Sequence, residues 1–228
     1  MTVLASQVSD WQHLSFQARR HILDQALQSA ALKDAVFYAQ VHRLWTHFNQ
    51  VSATWDQTLV LPGPTGESNE LYLTARGLSF IYAEKNAAES LILGQIFASL
   101  LCGNSVLCCL PEHKELLQQV EQVLTQAKLP AGVFTPAQVE DLAQALQRPE
   151  LRLMQAVLTE PTQVIPWCQR LAQGTQVLVP LIYEAYPDGR TLLMPDYLLK
   201  LVTERTRTIN TTAVGGNATL LELGSRHD

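Results

Sequence analysis

Among the side chains in this 228-residue chain that could attack a carbonyl or hold a metal are four cysteines and six histidines. Nucleophilic work needs a thiolate, and a thiolate needs a neighbouring base or cation. Cys102, Cys108 and Cys109 instead lie in apolar runs with no His or Lys beside them in the sequence. They are expected to pack as small hydrophobes. Cys108 and Cys109 are consecutive on an expected strand, so they face opposite ways and cannot share one ion, and no Cys-x-x-Cys occurs. His42 and His47 are five apart on an expected helix, a poor spacing for convergent ligands. No catalytic residue and no metal ligand is assigned from these groups.

The C-terminal stretch INTTAVGGNATLLEL offers a different chemistry, that of a docking segment. Gly215 and Gly216 permit a turn and a close backbone approach, and Asn217 tolerates a left-handed conformation. Leu220, Leu221 and Leu223 would gain on the order of 4 to 8 kcal/mol on burial, before entropy is subtracted. Asn210, Thr211 and Thr212 lead into this segment. Glu204 and Arg205 precede it, with two readings open: an ion pair that orients the tail, or a solvated helix end.

The elements that must position these residues are set by periodicity. Phe37, Val41, Leu44, Phe48 and Val51 step by four and three, the pattern of one face of an amphipathic helix. The stretch LPGPTGESN, residues 61–69, gathers Pro62, Gly63, Pro64 and Gly66 and is expected to break regular structure, as a boundary between a helical lead and an α/β region. From residue 70 short apolar runs (LYLTA, LSFIYA, SVLCCL, GVFTP, LMQAVL, TQVLVPLIY) alternate with helical stretches near 87–102, 113–128 and 162–172. Strands separated by helices of this length require crossovers, so the fold class is α/β, a doubly wound, mostly parallel, Rossmann-like sheet with an N-terminal helical extension. The expected divisions are a helical segment at 1–60, an α/β domain at 61–207 and a docking tail at 208–228.

Composition narrows the partners. A formal charge of −5, with Lys and Arg scattered, gives no electrostatic footprint for nucleic acid or an anionic membrane. The longest apolar stretch, LILGQIFASLLCGNSVLCCL, is interrupted by Gly94, Gly103 and Asn104 and reads as a buried helix leading into a strand. All four cysteines, Cys168 included, occur in apolar surroundings and no signal peptide is read at the start, so reduced thiols in a cytoplasmic protein are expected.

Four stretches in order, LPGPTGESNELYL, GQIFASLLCGNSVL, LVTERTRTINTTA and GGNATLLEL, resemble the aldehyde dehydrogenase superfamily, and more narrowly the C-terminal domain of the long bacterial proline utilisation A proteins. The resemblance implies that the glycine-pair tail packs on a glutamate-semialdehyde (pyrroline-5-carboxylate) dehydrogenase domain, in cis or in trans, and closes the internal passage for the intermediate. It also implies a setting of proline oxidation to glutamate, with FAD and NAD held by the partner domains. A homo-oligomer is a further possible arrangement.

The departures from the family pattern point the same way. Such a dehydrogenase needs a second domain carrying a nucleophilic cysteine and a glutamate base, and no length for one is read after LIYEAYPDGRTLLMPDYLL. Where the family has a Phe-Thr-Gly-Ser type turn for the dinucleotide pyrophosphate, this chain has LTEPTQV, in which Glu160 adds a like charge and Pro161 removes an amide donor. The family's ribose-binding lysine falls near Cys109 or Leu110, and no lysine comes until Lys114. Asn86 aligns with the family's oxyanion asparagine. No cofactor-binding residue is therefore assigned. The rivals are a dinucleotide-binding oxidoreductase domain with a divergent site and a free-standing oligomeric scaffold.

Overall fold

The computed structural model describes residues 3–29, 32, 36–174 and 177–210. Two compact units emerge: one holds the described residues of 1–53 and 74–203, the other those of 54–73 and 204–210. The first contains helices α1 (Val3–His13), α2 (Phe16–Leu27) and α3 (Tyr38–Val51). They precede a five-stranded sheet built from β3 (Leu78–Ala83), β4 (Ser105–Cys109), β5 (Phe134–Pro136), β6 (Leu151–Val157) and β7 (Leu181–Glu184). The crossovers carry α4 (Glu89–Leu101), α5 (Lys114–Gln126), the short α6 (Leu142–Leu146) and α7 (Val164–Gly174). Sheet order is β5-β4-β3-β6-β7, and every pairing is parallel. The doubly wound α/β expectation matches this architecture.

The stretch LYLTA does not join that sheet. It lies in β2 (Glu67–Ala75), in a three-stranded sheet of order β1-β2-β8 with β1 (Leu59–Leu61) and β8 (Val202–Asn210). β1 and β2 pair antiparallel, with Leu61 opposite Asn69. Residues 62–66 are therefore the turn of a hairpin, rather than a boundary between a helical lead and the α/β region. The prolines and glycines stop the strands as expected, and Gly66 supplies the positive φ of 93° that the turn needs. Contacts of Thr74 with Thr203, Glu70 with Arg207 and Asn69 with Thr208 rise along one strand as they fall along the other, which is the antiparallel order.

Helix α4 is buried at every position from Ser90 to Leu101. A helix that is apolar all round must be covered all round, and α4 lies against β3, β4 and β6 as well as α2 and α3. The covering face of α3 is the expected one: Val41, Leu44 and Phe48 are buried, joined by Trp45, while Phe37 and Val51 are partly covered at its ends. Trp45 meets Phe97 edge-on at 5.9 Å between ring centroids and donates from Nε1 to Asp24 Oδ1 at 2.6 Å. Burying four such side chains contributes about 6–12 kcal/mol before entropy.

The sequence LLCGN ends α4 by a two-bond glycine cap. The Asn104 amide donates to Ser99 O at 3.1 Å and the Gly103 amide to Leu100 O at 2.9 Å, with Gly103 at φ 81°. A side chain at Gly103 would come within 2.8 Å of Arg19 Nη1. Arg19, itself 3% exposed, donates from Nε to Leu101 O at 2.8 Å and from Nη1 to Leu14 O. Its charge thus sits against the negative end of the α4 dipole.

Asn104, fully buried, then ties three segments together. Its Oδ1 accepts from the amides of Arg76 (2.8 Å) and Gly77 (3.0 Å), and its Nδ2 donates to Leu201 O (2.8 Å). Replacing Asn104 by Ala is expected to lower the unfolding free energy by about 2–4 kcal/mol, because two amides and a carbonyl lose their partner. Urea denaturation measures this; a change below about 1 kcal/mol would mean that water replaces the side chain at no cost.

Candidate functional site

In open parallel sheets the ligand crevice forms beyond the carboxyl ends of the strands, where successive crossovers diverge. Here β4 and β5 lie to one side of β3 and β6 and β7 to the other, so the divergence falls between β3 and β6. A crevice of about 290 Å³ opens there, lined by residues 86–88, Leu91, 157–159 and 185–187.

Two carboxylates shape this end of the sheet. Glu84 comes directly after β3, and its Oε2 accepts from the Thr159 amide at 2.7 Å and from Thr159 Oγ1 at 2.6 Å. Its backbone amide donates to Val157 O at 3.0 Å, which fixes the side chain's root between the two central strands. Its carbonyl accepts from the Ala87 amide and from His113 Nε2, each at 3.0 Å. That bond places a proton on His113 Nε2, while Nδ1 lies 3.9 Å from Glu89 Oε1 and forms an ion pair when the ring is protonated.

Glu184, the last residue of β7, is 0% exposed. A buried carboxylate survives only when its oxygens are bonded. Glu184 Oε1 accepts from the Tyr186 amide (2.9 Å) and Oε2 from the amides of Thr191 (2.7 Å) and Leu192 (3.2 Å). It therefore staples the segment that leaves β7 back onto the sheet.

The turn after β6 is where an anion would meet backbone donors. The Leu158 amide donates to Glu184 O at 2.8 Å, the Thr159 amide already faces the Glu84 carboxylate, and Pro161 opens a 3-10 turn (Pro161–Gln163) without an N–H of its own. Glu160, which the sequence singles out as the like charge, is exposed on the surface. The carboxylate in the turn belongs to Glu84, which sequence reasoning missed. The signal was an acid just past an apolar run, in FIYAEKN, but only the sheet order brings it beside residue 159.

The other residues singled out by the sequence are dispersed over the first unit and β8. Asn86 lines the crevice and is exposed. Cys109 and Leu110, near which the resemblance puts the family's lysine, are buried, and Lys114 is the exposed first residue of α5. Cys102 and Cys108 are buried as well, whereas Cys168 is exposed on α7, unlike the apolar surroundings expected of it. His42 is exposed and leans on Tyr38, and His47 packs against Phe48. Among the described residues no three His, Cys, Asp or Glu side chains converge as a metal site would require. Glu204 and Arg205 are exposed on strand β8, so the solvated helix end does not apply. Of the tail, Asn210 ends β8; Thr211, Thr212, Gly215, Gly216, Asn217, Leu220, Leu221 and Leu223 lie outside the described residues.

No family model and no curated protein matches the chain. Solved structures do. A proline utilization A structure with proline bound in remote sites superposes with a TM-score of 0.66 at 22% identity, over 78% of this chain and 21% of that one. A variant of proline utilization A from Bradyrhizobium japonicum gives 0.65 at 21% identity over the same shares. A putative aldehyde dehydrogenase from Burkholderia cenocepacia gives 0.60 at 17% identity, over 78% of this chain and 43% of that one. The fold is of the aldehyde dehydrogenase type. This chain spans about a fifth of the length of the proline utilization A structures it matches. Among the described residues of this aldehyde-dehydrogenase-type fold, no helix is long and apolar enough to cross a membrane.

The geometry makes two measurements informative. Burial pushes the Cys102 thiol up from 9 to about 12, and burial with the neighbouring Cys109 pushes Cys108 higher still. A chromogenic disulfide reagent at neutral pH is expected to modify Cys168 in the native protein and the buried thiols only after denaturation. Because their folded pKa values are raised, these thiols contribute stability that is complete below about pH 9 and is lost as pH climbs toward 12. Alkaline unfolding should therefore shift to higher pH in Cys108→Ala relative to its loss at neutral pH. Separately, Glu84→Ala should cost about 1–2 kcal/mol, since a charge-assisted pair of bonds is lost at a part-exposed site. Glu160→Gln should stay within about 0.5 kcal/mol; equal effects of the two would contradict the roles assigned.

Proposed function

We propose that this chain is a non-catalytic, aldehyde-dehydrogenase-like domain of the proline utilisation A type. Its C-terminal tail docks on a glutamate-semialdehyde (pyrroline-5-carboxylate) dehydrogenase domain, in cis or in trans, and seals the passage of the reactive aldehyde. In this way it supports oxidation of proline to glutamate without performing chemistry of its own.

The observation that carries the reading is the Glu84 carboxylate on the Thr159 amide. In a dinucleotide-binding sheet that donor serves the pyrophosphate. Here a fixed negative charge uses it, so a dinucleotide would lose the donor and meet repulsion from Glu84 and Glu160. The residues present do not suit NAD, and the proposed role assigns NAD and FAD to partner domains. Support also comes from the fold likeness to proline utilization A and from β8. Arg207 pairs with Glu70 and Thr208 Oγ1 donates to Asn69 at 2.6 Å, which anchors the strand up to the start of the tail.

Calorimetric titration with millimolar NAD is expected to give no heat and no rise in Tm, whereas a retained site would stabilise by mass action. Binding with a Kd below about 1 mM would favour the divergent oxidoreductase instead. The docking role is tested by deleting residues 209–228 in the presence of the proline and aldehyde dehydrogenase activities. The deletion should lengthen the transient before NADH forms from proline. Unchanged kinetics, or self-association lost on deletion, would point to an oligomeric scaffold.

A further inference from the structure

At the opposite edge of the parallel sheet, beyond the amino ends of its strands, lies a larger cavity of about 790 Å³. That volume is in the range of small-molecule sites. Leu78 and Ser105, the first residues of β3 and β4, form part of its wall together with Gly77, Thr135 and Gln12. The charged groups on the wall are Arg76, Arg148 and Arg152 against one acid, Glu150. A net of two positive charges in one cavity runs against a chain whose formal charge is −5.

Three details make this more than a scatter of surface arginines. The Nε of Arg76 is buried and has no hydrogen-bond partner, and a buried donor left without an acceptor carries a desolvation cost that a ligand oxygen would relieve. The backbone of Arg76 is held in place by Asn104 Oδ1 at 2.8 Å. Arg152 is held as well: its Nη1 donates to Pro149 O at 2.6 Å and to Leu151 O at 2.9 Å. Its stem crosses Gly77, where a Cβ would lie 3.0 Å from Arg152 Cγ and where φ is 134°. Only glycine suits that backbone and leaves the stem its path.

We propose that this cavity binds a small polyanion bearing carboxylate or phosphate oxygens, with Arg76 and Arg148 as the principal contacts and Arg152 as a pre-oriented third. Planar guanidinium groups present paired N–H donors that match both kinds of oxygen. The site is separate from the crevice between β3 and β6 and does not depend on the role proposed for the tail.

The test is a thermal-shift and calorimetric titration of the full chain with citrate and with pyrophosphate, each against sodium chloride at matched ionic strength. At least one anion is expected to raise Tm beyond the chloride control, and which one does so separates a carboxylate ligand from a phosphate ligand. Arg76→Gln and Arg148→Gln should each weaken binding about tenfold or more, the equivalent of one charge-assisted contact. Arg190→Gln, on an exposed side chain paired with Asp188, should leave it unchanged. If Arg76→Gln fails to fold, the exposed Arg148 decides the matter alone. No shift beyond chloride with either anion, or full affinity in Arg148→Gln, would overturn the proposal.

Discussion

The rest of the first unit depends on one constraint: helix α4 is apolar on every side and cannot face water anywhere. The parallel sheet covers one side of it and the N-terminal helices another. This is why the helical lead is part of the same compact unit as the sheet. A network of polar groups crosses that contact. Gln155 on β6 donates to Ser79 and Ser99 and accepts from Tyr197, whose ring stacks on Phe48 of α3. Such a network fixes register where apolar contacts alone would tolerate sliding.

The two ends of the sheet have been put to different uses. At the carboxyl ends, acids stand at the ends of the two strands that flank β6 and are satisfied by amides of the chain itself. The Thr159 amide, at a strand-to-helix turn, is of the kind with which folds of this type commonly hold anions. At the amino ends, positive side chains line a larger space and one of their donors has no acceptor. Internal satisfaction at one edge and open donor capacity at the other is a reversal of the usual polarity of an open α/β sheet.

Asn104 shows how one residue can serve both the packing and the edge. As part of the cap of α4 it belongs to the core, and through its side chain it fixes Arg76 and Gly77 at the rim of the amino-end cavity. The Gly-Asn pair after a long apolar helix therefore has a structural reason that needs no catalytic role.

The sequence by itself determined the elements of the parallel sheet, the apolar face of α3 and the burial of Cys102, Cys108 and Cys109. Each depends on local periodicity or on the character of a short run, which the chain carries wherever it is placed. It did not determine that β2 leaves the parallel sheet to pair with β1 and β8, because a strand's partners are set by long-range hydrogen bonding. Nor did it single out Glu84 beside Thr159, 75 residues apart, or gather Arg76, Arg148 and Arg152 around one space. Those juxtapositions result from the order β5-β4-β3-β6-β7, and strand order is fixed only when the crossover helices have packed on the sheet.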